Sequence, residues 1–440
     1  MKAFPRRFVI PLLTGSAINA VNTSLIATAL VPIAAAVHVS VGQAAILVTA
    51  LYVACAIAQP TAGKLAEAFG PRRVFITGLW IVLVGGLVGG LSQNLTTLIV
   101  ARVLIGTGSS AVYPSAMLLV RRRAKTAGLD APPGGVLGGL MIAGAATAAL
   151  GLPIGGVLVD AWGWRTTFLI NVPVALATLA MVHSWIPADP ARTRLELKIR
   201  LPRTNPPLMR TYLRFAVACV CIYTVLYGLT QWLQVARGMS AKEAGLLLLP
   251  MSAVSAVIAR PISKRNLIRG PLLISAITCL AGSASVLMLT TGAPTIWIVA
   301  ITVVFGITLG TTTSANQTAL YTQADQLGTA SGLFRTFGFL GSIASSALIS
   351  AAFHTRVTDH HLHMLAVAMT ALSALGLLLV LADRTIMTRS QNRYFGSSFR
   401  TLAKRRLRRS LLAATRHRRT PNSQGRAIDN AVEDGLKEAR

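Results

Sequence analysis

The chain has 440 residues, of which 53% are hydrophobic and only 12% charged. A soluble domain carries about 25% charged residues, so this composition excludes an ordinary water-facing surface and leaves the lipid bilayer as the solvent. The net charge of +29 does not point to nucleic acid, because Lys and Arg fall in short clusters between long apolar runs rather than on one exposed face.

A bilayer crossing takes about 20 mostly apolar residues in a helix, since backbone polar groups find no water in lipid. The first half predicts spans near 9–36, 43–62, 74–92, 96–120, 136–159 and 166–186. The first is expected to be a span rather than a cleaved leader. Its apolar run exceeds the roughly 7–15 residues of a signal peptide, and it carries Asn19 and Asn22 one turn apart.

After the second span comes Gly63-Lys64-Leu65-Ala66-Glu67-Ala68-Phe69-Gly70-Pro71-Arg72-Arg73. An acid in such a tight loop can sit at the positive N-terminus of a neighbouring helix and latch one conformation. Span four holds Arg102 ahead of Gly106 and Gly108; an arginine inside a span is costly and therefore a functional suspect. Span five reads Gly151-Leu152-Pro153-Ile154-Gly155-Gly156, followed by Asp160 and Trp162-Gly163-Trp164-Arg165. Small residues with proline let two helices approach closely and bend. The run continues through Phe168 and Ile170-Asn171-Val172-Pro173.

The longest internal loop, 187–210, is polar and basic and contains Pro206-Pro207. A second set of spans follows near 211–235, 244–262, 271–291, 294–317, 328–353 and 364–384. Tyr223, Tyr227 and Gln231 recur every four residues on span seven, as do Thr308, Thr312 and Asn316 on span ten. A polar stripe in lipid faces the bundle interior or a wet cavity, and both remain open. Arg335, in span eleven, is the second fixed charge placed inside a span.

Of the 42 Lys and Arg residues, 36 fall on alternate loops and the tail, on the side that also holds the N-terminus. The positive-inside rule then puts both termini in the cytoplasm. Six spans, a linker and six spans form an architecture whose cavity opens alternately to each side. The expected division is residues 1–186, a linker at 187–210, residues 211–385, and a basic tail at 386–440. Within that tail, 399–412 reads as a basic amphipathic helix suited to an anionic inner leaflet.

These segments together resemble the major facilitator superfamily over about residues 9–385. The Gly63–Arg73 loop resembles its signature loop, with Glu67 where an Asp is usual and Ala68 where an Arg is usual. In the family this loop's neighbour is the eleventh span, here starting near Gly328. Arg102 to Gly108 looks like the second family motif. The Gly151–Gly156 stretch is similar to the exporter motif, although Leu152 separates the first glycine from Pro153. The Trp164-Arg165, Phe168, Asn171, Pro173 run resembles the drug:proton antiporter branch. So do Gln231 to Gly238, Ala244-Gly245 to Pro250, and Ala330 to Phe334. The 259–271 loop lacks the second copy of the signature, and the two extra central spans of many relatives are missing. The resemblance implies an all-α integral membrane fold of twelve transmembrane helices in two six-helix bundles, and an exporting direction.

A proton antiporter needs a titratable group within the membrane, yet none of the 13 acids falls mid-span. Asp383 reads as a loop acid, and Asn22 stands where the antiporter branch has an Asp. Asn carries no proton, so coupling by the usual residue is not expected; Asp160, Asp325 or Glu67 at the rims remain. Cys55, Cys219, Cys221 and Cys279 lie in apolar runs without zinc spacing and read as small buried hydrophobes. No nucleophile–base pair or metal cluster stands out, so neither catalysis nor a cofactor is expected.

The candidate cavity is Asn19, Asn22, Arg102, Tyr223, Tyr227, Gln231, Asn316 and Arg335. The candidate gates are Gly63, Glu67, Gly70, Arg72 and Arg73 on one side, and Gly151, Pro153, Gly155, Gly156 and Asp160 on the other. Three readings follow: an exporter of drug-like or amphiphilic molecules, an importer or facilitator of a small organic anion, or a non-transporting scaffold acting through its basic tail. The expected setting is a monomer in the bacterial inner membrane, with a small-molecule substrate, anionic lipid at 399–412 and no nucleic acid.

Overall fold

The computed structural model describes residues 4–128, 150–189, 206–265, 267–323 and 327–383, with side chains at 264, 321–323, 327–329 and 331 left aside. The expected tail helix at 399–412, the first part of the fifth span, and Asp130, Glu196 and Asp325 lie outside the described residues. Contacts gather the chain up to Asp383 into one compact unit.

Among the described residues every regular element is helical. The first half contains α1 (Arg6–Ala36), α2 (Val41–Phe69), α3 (Pro71–Leu91), α4 (Leu95–Thr126), α5 (Leu150–Trp162, described from Leu150 onward) and α6 (Thr166–Trp185). The second contains α7 (Pro206–Val235), α8 (Ala241–Ser263), α9 (Arg269–Val286), α10 (Thr295–Leu320), α11 (Gly332–Ala352) and α12 (Asp359–Leu381). Eleven of these are long and apolar enough to cross a bilayer, and α5 is the shorter apolar twelfth. Six of these helices precede the 187–210 stretch and six follow it, the order expected from the sequence.

One boundary corrects the sequence reading. Helix α7 begins at Pro206, so Arg210 belongs to it rather than to the preceding loop, and Arg214 lies one turn further along. Arg214 is buried, and its Nη1 is held in a tight ion pair by Asp383, just past α12. Asp383, read from sequence as a loop acid, is itself buried and also pairs with Arg210 at 3.4 Å. A buried charge is tolerated when its partner is buried with it, and that partner lies 169 residues away along the chain.

Around the second and fourth helices of each half the chain repeats itself at an offset of 200 residues. Ser40 and Gln43 form a reciprocal capping box at the start of α2, and Ser240 and Glu243 form another at the start of α8. Two residues before each cap the backbone turns left-handed, with φ of 54° at His38 and 65° at Gly238. The helix crossings match as well. A Cβ added to Gly106 of α4 would lie 2.6 Å from the Leu51 carbonyl of α2. One added to Gly306 of α10 would lie 2.6 Å from the Met251 carbonyl of α8. In lipid, apolar burial does not drive helices together, so such backbone-to-backbone approaches carry the packing.

Candidate functional site

The halves meet along a seam that runs from the face bearing the N-terminus to the far face. Its middle is an aromatic layer. Tyr52 of α2 packs edge-on to Tyr223 of α7 at 5.6 Å and against Phe339 of α11 at 5.5 Å, while Tyr223 stacks on Tyr227 at 5.9 Å. The hydroxyls are tied together: Tyr52 and Tyr227 lie 3.3 Å apart, and Tyr227 donates to the Thr23 carbonyl of α1 at 3.2 Å. A π-helical turn at Val225–Leu229 interrupts α7 at this level. Such a turn re-aims the residues around it and is common at functional sites. Tyr223 and Tyr227 were expected in the cavity and lie here. Tyr52 and Phe339 were not, because each sits in an apolar run with no polar periodicity to mark it.

Gln231, one turn beyond Tyr227, is fully buried, and neither of its amide atoms has a hydrogen-bond partner. Leaving a buried polar group unsatisfied costs about 1–3 kcal/mol, so Gln231 is a costly polar group next to the aromatic layer.

On the first-half side, Asn22 and Asn171 form a reciprocal amide pair: Asn22 Nδ2 donates to Asn171 Oδ1 at 2.6 Å and Asn171 Nδ2 to Asn22 Oδ1 at 3.0 Å. Asn22 also donates to the Ile18 carbonyl at 2.9 Å. The position where an acid was sought is thus occupied by a satisfied neutral network. Asn19, one turn below, donates to Ser109 Oγ of α4 at 3.1 Å. Arg102 is buried, and backbone carbonyls receive it: Nε donates to Leu47 at 3.0 Å and Nη1 to Asn22 at 3.4 Å, while Nη2 has no partner.

At the far face the seam is shut by small residues. A Cβ on Gly156 of α5 would fall on the Ala241 carbonyl of α8, and one on Gly245 of α8 would lie 2.6 Å from the Leu152 carbonyl of α5. Gly151 and Gly155 bring α5 equally close to Ser24 and Thr28 of α1. The carboxylate of Asp160 accepts from the Lys242 backbone N–H at 3.2 Å, capping α8 from the other half. Helices α2 and α11 close beside them, with Gly42 N–H donating to the Phe353 carbonyl at 3.2 Å and Ser346 Oγ to the Ala45 carbonyl at 2.6 Å. Pro153, half-buried on α5, adds no donor to this junction.

On the N-terminal face the signature-like loop is organised by an acid that the sequence reading did not nominate. Gly70 has φ of 99°, and a Cβ there would collide with the Asp189 carboxylate. That carboxylate accepts from the Arg73 N–H at 2.9 Å and pairs with Arg122 of α4 at 3.0 Å, an anion at the N-terminal end of α3. Arg72 donates to the His183 carbonyl at 3.2 Å. Glu67 is exposed; its expected neighbour near Gly328 has no described side chain. Gly63 faces Pro114 of α4, with 3.9 Å to a Cβ placed there. On this side of the aromatic layer Arg335 of α11 reaches across the seam to Tyr113 of α4, its guanidinium carbon 3.9 Å from the ring centroid.

The stripe on α10 goes elsewhere. Thr308 bonds Thr278 of α9 at 2.9 Å, Thr312 pairs with Ser275 of α9, and Asn316 Nδ2 returns to the Thr312 carbonyl at 2.9 Å. Asn316 therefore lies inside the second half, beside a small cavity lined also by Arg214, Cys279 and Ser373, and not among the seam residues. Interhelical bonding satisfies most of this stripe. The four cysteines are free and buried.

A membrane bundle of repeated halves around a polar seam is the architecture of a solute transporter. Residues 12–346 match the Major Facilitator Superfamily, and the chain belongs to that superfamily: it is a multi-pass membrane transporter. It is 26% identical over 444 aligned residues to an uncharacterised MFS-type transporter of Bacillus subtilis, covering 86% of this chain and 97% of that one. A tetracenomycin C resistance and export protein of Streptomyces glaucescens is 36% identical over 166 residues, 36% of this chain and 29% of its own length. A methylenomycin A resistance protein of Streptomyces coelicolor is 28% identical over 309 residues, 55% of this chain and 62% of its own. Among solved structures, a bacterial homologue of the lysosomal transporter Spinster, inward-facing and unoccupied, superposes with a TM-score of 0.68 at 16% identity, covering 88% of this chain and 99% of that one. The nucleoside transporter NupG gives 0.65 at 11% identity, covering 87% and 99%. Both share the fold.

Proposed function

We propose that this transporter exports drug-like or amphiphilic small molecules from the cytoplasm by alternating access. The observation that carries the reading is the seam itself. It is closed backbone-to-backbone at the far face, through Gly156 and Gly245, and lined in the middle by aromatic rings with tethered hydroxyls. Rings offer large apolar faces to solutes of varied shape, and a few hydroxyls fix orientation without demanding one substrate. The name of the Streptomyces glaucescens relative, a resistance and export protein, supports an exporting direction.

In this reading residues 1–186 and 211–385 are the two rocking bodies, 187–210 links them on the cytoplasmic side, and both termini face the cytoplasm of a bacterial inner membrane. Closing one end and opening the other needs two arrangements a few kcal/mol apart that substrate binding can bias. The far-face glycines and the Asp160 cap act as one gate, and the loop around Gly70 and Asp189 belongs to the other. With Asn22 paired to Asn171, transport is not driven through a first-span carboxylate.

The test is flux in proteoliposomes of known orientation, with and without an imposed pH gradient, using a panel of lipophilic dyes. Movement from the cytoplasmic side outward is expected. Strictly inward movement, or selective uptake of one small polar solute, would overturn the export reading.

A further inference from the structure

We infer that Arg335, stacked on Tyr113 across the seam, is the binding point for the acidic group of an anionic amphiphile. This deepens the proposed export function, on which it rests, by naming the charge class of the substrate.

The arginines of the interior are handled in three different ways. Arg214 is buried with its carboxylate, Asp383. Arg102 is buried against the carbonyls of Leu47 and Asn22. Arg335 alone of these three is exposed, and among the described residues its one recorded partner is a ring, that of Tyr113 on the opposite half. A guanidinium stays charged at any physiological pH, and its planar fork matches a carboxylate or sulfonate with two parallel hydrogen bonds. A ring face is a weaker partner than an anion. An arriving anion therefore replaces Tyr113 as the guanidinium's partner.

The surroundings suit the rest of such a molecule. One turn along α11 from Arg335 is Phe339, in contact with Tyr52, and Tyr223 lies beside Tyr52. An amphiphile with its acidic group on Arg335 would lay its apolar body on this aromatic layer. The described acids Glu67, Asp189, Asp160, Glu243, Asp359 and Asp383 have no recorded contact with Arg335. A lipophilic cation would meet an unneutralised positive charge there, so the same geometry discriminates against it. Because Arg335 and Tyr113 come from different halves, an anion that separates them also removes one tie across the seam, which links binding to the conformational step.

The experiment compares a naphthalene sulfonate with a quaternary ammonium on the same ring system, in proteoliposomes of wild type, Arg335→Gln and Arg335→Lys. The sulfonate-to-ammonium flux ratio is expected to fall about tenfold or more in Arg335→Gln, the range of a lost charge-assisted contact, and to fall by less in Arg335→Lys, which keeps the charge but not the bidentate fork. A ratio unchanged in Arg335→Gln overturns the inference. A second readout does not depend on transport: modification of Arg335 by a phenylglyoxal, followed by peptide mass spectrometry on the wild type. Protection by the sulfonate and not by the ammonium supports the site, and equal or absent protection overturns it. If protection holds while neither probe moves, the export reading fails and the binding site stands.

Discussion

Removing Asp383 gives the sharpest test of how the second half is held together. The change Asp383→Ala strands Arg214, whose side chain is only 3% exposed, while Arg210, 48% exposed, can turn to water. Arg214 keeps Thr211 Oγ1 at 3.0 Å, but its Nε is already without a partner. Breaking a buried pair from one side costs about 3–5 kcal/mol, whereas replacing both partners with apolar residues is often neutral. At about 2 °C per kcal/mol for a chain of this size, the single change should lower Tm by roughly 6–10 °C. The double change Arg214→Met with Asp383→Leu should recover most of that loss. Tryptophan fluorescence during heating in detergent measures both, and the coupling between the two sites is read from the cycle. If the double variant melts as low as the single one, stranded charge is not the cause and the argument fails.

Three further outcomes follow from the same geometry. Gly156→Val places side-chain atoms on the Ala241 carbonyl, which is backbone and cannot rotate away. In a cysteine-free background carrying Thr28→Cys, maleimide labelling of the now buried position should rise several-fold; unchanged labelling would mean that this crossing is not the closure. Asp160→Ala removes the acceptor that the first half offers to the Lys242 N–H beside the Ser240/Glu243 capping box and should destabilise the closed far face by about 0.5–2 kcal/mol, seen as faster labelling of the same cysteine, whereas Asp160→Asn, which keeps an acceptor, should change little. Asn22→Leu leaves Asn171 Oδ1 without its donor and should cost about 1–3 kcal/mol in thermal stability. Adding Asn171→Leu should return much of it, because Arg102 uses the backbone carbonyl of residue 22 and not its side chain.

The sequence by itself determined the solvent, the helix count and the repeated six-helix plan, because each crossing must satisfy its own backbone and declares itself as a run of apolar residues. It also determined the family, through local motifs such as Gly63–Arg73 and Gly151–Gly156, whose spacing is set within one loop or one helix. Partnership across the bundle belonged to the tertiary structure. Nothing near Asn22 marks Asn171, 149 residues away, and nothing near Asp383 marks Arg214. Asp189, not Glu67, sits at the start of α3 because α6 returns to that face. Arg102 and Arg335 look alike as charges within apolar runs, yet one is closed in by carbonyls and the other is exposed and faces a ring of the opposite half. Helical periodicity says that a side chain points inward; only the packing of the other helices decides what it meets there.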